Sequence, residues 1–117
     1  MKLEGIDVDW AEEFNGAITV CDCDGIIVYM NRFSIDQFSG YGGQALLGSN
    51  LFDCHPEPSK TKLQEMLKTS VENMYTTEKN GVKKIIFQTP WLQDGKFSGV
   101  VELSFLLGSN MPHFIRS

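Results

Sequence analysis

The sequence predicts an α+β domain in which an antiparallel sheet is covered by helices on one face. Two kinds of signal carry that reading. Asp24–Gly25, Asn80–Gly81 and Asp94–Gly95 each separate two runs of residues suited to strands, and such pairs supply the positive φ angles of a tight hairpin turn. Leu63, Met66, Leu67, Val71 and Met74 recur at helical spacing, while Lys60, Lys62, Glu65, Lys68 and Glu72 occupy the other side of the same helix. Strands therefore bracket a helical middle.

Taken in order, Leu3, Ile6, Trp10 and Phe14 recur every three or four residues and predict a short amphipathic helix within residues 1–16, capped by Asp7 or Asp9. A helix so short is marginal alone and has to bury its stripe against a sheet, its own or a partner's. Ala17 to Cys21 and Ile26 to Met30 form the first hairpin, and Asn31 ends it and caps a helical turn through Phe33 and Phe38. Gly40, Gly42, Gly43 and Gly48 limit the next segment to short turns around Gln44 to Leu47. Leu51 and Phe52 are core residues on a further turn. Pro56 and Pro58 mark the entrance to a helix running from Ser59 to Asn73, because proline is tolerated in a first turn whose N–H groups have no partner. Met74 to Lys79, Val82 to Leu92 and Phe97 to Leu107 complete the strands. Pro90 lacks an N–H and belongs at a bulge or on an unpaired side. Residues 17–107 make the domain, and 108–117 a tail or connector.

At 117 residues the chain fits one domain. Fifteen acidic against ten basic residues give a net charge of −5, which disfavours nucleic acid and anionic membrane surfaces alike. The longest apolar run, Ile26 to Met30, is far too short to span a bilayer, so no membrane insertion is expected. The opening MKLEGIDVDWAEEF lacks the apolar stretch of a secretory signal, and three cysteines at unpatterned spacing suggest reduced thiols. The expected compartment is the cytoplasm. No nucleophile elbow, phosphate loop, His-Glu-x-x-His or dinucleotide fingerprint occurs, so the chain is expected to be non-catalytic.

This order of elements, with the motifs it carries, resembles a PAS domain. Asp22, Asp24, Gly25, Ile27 and Asn31 match that family's first hairpin. Gly40, Tyr41, Leu46, Leu47, Gly48, Leu51 and Phe52 follow its glycine-tyrosine, leucine-glycine and leucine-phenylalanine pattern. Cys54-His55-Pro56-Glu57 resembles the sequence that opens the family's long helix, and Trp91, Asp94, Gly95 and Gly99 fit its last hairpin. The resemblance covers about Ala17 to Leu107. It implies a five-stranded antiparallel sheet of order 2-1-5-4-3 with helices across one face. It also implies a small molecule or cofactor held between sheet and long helix, bacterial-style signalling, and an output partner such as a histidine kinase or a cyclic-nucleotide enzyme.

On that basis the ligand pocket is expected to be lined by Phe52, Leu63, Met66, Leu67, Ile86, Leu103 and Phe105. His55 has two readings. It is a structural or surface residue, or it is a haem ligand at the helix entrance, as an imidazole on or near that helix is in haem-binding members, which would make the chain a gas or redox sensor or a small haem enzyme. Cys21, Cys23, Cys54 and His55 include the residue types of a zinc site, but only one close cysteine pair exists and buried free cysteine is common. The flavin photosensors' Asn-Cys-Arg-Phe motif is missing; Asn31-Arg32-Phe33 lies elsewhere and lacks the cysteine. A carboxylate ligand would need Lys83 or Lys84, Thr89 and Ser104 turned inward. Trp10 and Phe14 either close one end of the core or form a homodimer patch, since large aromatics on a terminal segment favour burial. A ligand-free interaction domain is the remaining alternative.

Overall fold

The computed structural model describes residues 1–54, 56–69 and 72–117. Strands β1 (Ala17–Asp22), β2 (Ile27–Met30), β3 (Asn73–Lys79), β4 (Val82–Gln93) and β5 (Lys96–Leu106) form one antiparallel sheet of order β2-β1-β5-β4-β3. That is the order the resemblance implies. Helices α1 (Arg32–Gln37) and α2 (Ser59–Thr69), with 3₁₀ turns at Ser39–Tyr41, Gly43–Leu46 and Leu51–Cys54, lie between β2 and β3.

The last two hairpins turn as their residues dictate. Asn80 and Gly81 sit at φ 55° and 77°, Asp94 and Gly95 at 51° and 77°, so both turn residues are left-handed in each case. The first hairpin differs. Only Gly25 has a positive φ there, and Asp22 Oδ1 accepts from the backbone N–H groups of Asp24 (2.9 Å) and Ile26 (3.0 Å). Bracing by a side chain replaces the two-residue turn, and the register shifts between Val20 and Cys21. Pro90 lies past the end of β3, whose pairing with β4 begins at Asn73 opposite Gln88, so no ladder bond is lost on that side. Gly99 lies opposite Asp22 on β1, at φ 152°, and a Cβ there would overlap the Cys21 carbonyl oxygen.

Residues 1–16 form no helix. The chain turns at Gly5 (φ 82°), and residues 11–16 make local turns, Phe14 N to Ala11 O and Gly16 N to Phe14 O, while several of their carbonyls accept from the start of α1. Asn31 Nδ2 donates to the carbonyls of Ala11 and Gly16, both at 2.9 Å, and Arg32 N donates to the Glu12 carbonyl at 3.1 Å. The expected stripe is consequently not buried: Leu3, Ile6 and Trp10 are 77%, 51% and 57% exposed. The long helix also stops short of its expected end at Asn73. Its described part is Ser59–Thr69, Ser70 and Val71 lie outside the described residues, and Met74 belongs to β3, where the ladder to β4 takes over its backbone.

Leu63 and Met66 bury the inner face of α2 against Cys21, Ile27, Met30, Leu51 and Val100. Full burial of a side chain such as Leu63 contributes about 1.5–3 kcal/mol. Leu67, Phe52, Phe38 and Ile35 pack around this cluster. Cys21 pairs with Val100 across the sheet and both join the cluster, which identifies the face that the helices cover.

Candidate functional site

Alternation along β5 puts Val100, Glu102 and Ser104 on the helix-covered face and Val101, Leu103 and Phe105 on the outer face. The expected pocket is corrected accordingly. Leu103 lies in register with Ile18 and Phe87, and Phe105 with Ile85, all on the outer face. Ile86 is buried on the helix-covered face, in register with Ser104 and Tyr75. Phe52, Leu63, Met66 and Leu67 gather under and beside α2. The reason for the misplacement is physical: apolar residues are expected inward, yet β5 carries its polar residues there.

What sequence reasoning missed is a polar row running straight across the covered face. Thr19, Glu102, Gln88 and Asn73 are register partners on β1, β5, β4 and β3. Gln88 is fully buried and Glu102 is 6% exposed. A buried amide or carboxylate costs several kcal/mol unless it is hydrogen-bonded, and these are. Asn73 Nδ2 donates to Gln88 Oε1 at 3.0 Å, and Gln88 Nε2 donates to Glu102 Oε2 at 2.7 Å. At the other end the hydroxyls of Thr19 and Ser34 lie 2.7 Å apart, joining β1 to α1. A sequence signal existed: Gln88 follows Ile85, Ile86 and Phe87, and Glu102 and Ser104 alternate with Val101, Leu103 and Phe105.

Beside α2 the row meets solvent. Asn73 lines a cleft of about 360 Å³ with Lys62, Glu65, Met66, Thr69 and Glu72. A second cleft of about 370 Å³ is lined by Cys23, Phe52, Gln64, Leu67 and Lys68. Between the sheet and the turns that follow α1, a gap lined by Thr19, Ile27, Met30, Phe38, Leu46 and Leu51 is too narrow to admit a water molecule. Of the residues a carboxylate ligand would need, Lys84 and Ser104 face inward, but Lys84 Nζ already donates to Gln37 Oε1 at 3.2 Å. Lys83 and Thr89 belong to the outer face.

His55 and the side chain of Cys54 lie outside the described residues. Cys21 is buried in the core, where burial pushes its thiol up to about 11, whereas Cys23 is exposed. Among the described residues no group of three or more His, Cys, Asp or Glu is placed to hold a metal ion. Trp10 and Phe14 meet edge to face with centroids 5.6 Å apart. Gly16 lies against both Phe14 and Phe105, so this aromatic pair adjoins the outer face of the sheet. Burial together with a bond from its hydroxyl to Glu12 Oε2 (3.0 Å) raises Tyr29 to about 12.

A five-stranded antiparallel sheet with helices between its second and third strands, laid over one face, defines the class of domain. Solved structures of that class match this chain. A sensory box sensor histidine kinase from Vibrio cholerae superposes with a TM-score of 0.64 at 17% identity, over 82% of this chain and 85% of that one. The PAS domain of BvgS from Bordetella pertussis gives 0.63 at 16%, over 85% and 82%. The Aer2 receptor from Vibrio cholerae, described as a dual PAS-heme oxygen sensor, gives 0.60 at 13%, over 80% and 95%. The chain has the PAS fold. No family model matches the sequence, and no curated protein matches it. No helix among the described residues is long and apolar enough to cross a membrane.

Proposed function

We propose that this chain is a non-catalytic sensory module that takes a small molecule beside α2, where the polar row opens into the cleft at Asn73. One observation carries the reading: a hydrogen-bonded row under the helices ends at a cleft of about 360 Å³, within the range of about 300–1,000 Å³ typical of small-molecule sites. Met66, an adaptable side chain, lines the same cleft and also touches the core through α2. A molecule that binds two arrangements of α2 unequally shifts their populations. The shift would pass to an output partner such as a histidine kinase or a cyclic-nucleotide enzyme, in the cytoplasm. The apolar outer face, with Trp10 and Phe14 beside it, supports pairing of two copies as a homodimer.

The haem reading does not fit the described interior. Leu63 and Met66 pack against Cys21, Ile27, Met30, Leu51 and Val100 beneath α2, and the gap lined by Phe38, Leu46 and Leu51 is too narrow to admit a water molecule. It keeps a direct check: absorbance after addition of hemin, where a Soret band lost in His55→Ala would restore it.

The test of the main reading is native mass spectrometry of the purified chain, followed by amide NMR during titration with any molecule released from it. Shifts centred on Asn73, Gln88 and residues 62–69 are expected. Shifts confined to other parts of the chain, or a protein that holds and answers to no small molecule, would leave a ligand-free interaction domain.

A further inference from the structure

The direction of the hydrogen bonds in the polar row carries an inference about ligand chemistry, and it rests on the reading of the cleft as a ligand site. Glu102 Oε2 accepts from Gln88 Nε2. That bond fixes which way the Gln88 amide points, because a carboxylate oxygen accepts and the amide must turn its NH₂ toward it. Gln88 Oε1 is thereby left facing Asn73, which must donate from Nδ2 in turn. Each amide is oriented by the one behind it, and the buried carboxylate is the root.

The consequence appears at the cleft. With Nδ2 committed inward, the group that Asn73 offers to a ligand is Oδ1, an acceptor, and it takes no hydrogen bond among the described residues. The cleft wall adds Glu65 and Glu72 against the ammonium of Lys62, with Glu72 Oε1 also accepting from the Thr89 hydroxyl at 3.4 Å. Lys84, a basic residue on the covered face, lies on the far side of Ile86 from Gln88 along β4 and is bonded to Gln37. We infer that the cleft beside α2 selects small molecules presenting a cationic N–H donor, an amidine or a protonated amine, and discriminates against carboxylates.

Three ligands of nearly equal shape separate the possibilities: benzamidine, benzamide and benzoate, titrated into the full chain with the side-chain amide of Asn73 followed by ¹⁵N NMR. Benzamidine is expected to bind about tenfold or more tightly than benzoate, the ratio that one charge-assisted hydrogen bond supplies. Asn73→Ala, at the half-buried end of the row, is expected to reduce that ratio severalfold while the core stays folded. Glu102→Gln, if it folds, is expected to do the same, because its amide permits either orientation of the row. Benzoate binding as well as benzamidine at Asn73 would overturn the inferred ligand class while leaving the cleft a binding site. Benzamidine preference unchanged in Asn73→Ala would also overturn it. Failure of all three compounds to move Asn73 would remove both the class and the cleft.

Discussion

Asn31 Nδ2 donates to the carbonyl oxygen of Ala11 at 2.9 Å, a bond spanning 20 positions of sequence. The same side chain donates to Gly16 O and accepts at Oδ1 from the N–H groups of Ile18 and Ser34. Fully buried, it ties together residues 11–16, β1 and the first turn of α1.

Asn31→Ala removes the side-chain partner of two backbone donors, Ile18 N and Ser34 N, and of two carbonyls, of which Ala11 O keeps a bond from Phe14 N. Loss of an N-cap costs about 1 kcal/mol and each unsatisfied buried group about 1–3. A loss of at least about 3 kcal/mol in urea unfolding is expected. Asn31→Asp keeps the cap but not the two donors. It should therefore also destabilise, with faster hydrogen exchange at residues 11–16. An Asp variant as stable as the parent would refute the role given to Nδ2.

At Gly99 no side chain can be added without moving β1, and its φ of 152° disfavours L-residues besides. Gly99→Ala is expected to cost about 3 kcal/mol, strain and overpacking together. A thermal midpoint within a few degrees of the parent would contradict the close approach.

The thiols should separate by reactivity. In a Cys54→Ser background at pH 8, Cys23 is expected to react rapidly with a thiol reagent, and Cys21 only as the protein unfolds. Burial raises Cys21 from its usual value near 9 to about 11. The folded state therefore holds its proton longer than the unfolded chain. The stability this confers is complete below about pH 9 and declines as pH rises toward 11. Cys21→Ala should flatten that decline; an equal decline in the variant would assign it to other groups.

Leu103 offers a choice between two sites. If the outer face joins two copies, Leu103→Asp should give a monomer in light scattering and weaken dimerisation at least about 100-fold, in the range of a hot-spot loss. Trp10→Ala should weaken it less. Binding at Asn73 should persist in both. A Leu103→Asp dimer as tight as the parent's would rule out that face.

Much of the fold was legible because local chemistry decides it. Asn80–Gly81 and Asp94–Gly95 fit mirror-image turns, and Asn31 reads as a cap. Residues 1–16 were not legible. Ile6, Val8 and Trp10 also alternate with Asp7 and Asp9, so a short stretch satisfies two periodicities, and distant bonds from Asn31 decide the outcome. The site was half legible. Leu63, Met66, Leu67 and Phe52 follow from the helical stripe and the turn before it, but Leu103 and Phe105 lie on the face opposite to the one their apolar character suggests. Period-two alternation groups residues by face without saying which face is covered, and the rule of apolar residues inward misleads where the covered face is polar.

Backbone lying on backbone at Gly99 has a practical corollary for spectroscopy. A spin label or fluorophore attached in that corner would act as a wedge between β1 and β5. The exposed threonines Thr76 and Thr77, on the border strand at the opposite side of the sheet, can carry one with little disturbance. Distances measured from there across to α2 would read motion of the helix against a reference that the label itself has not displaced.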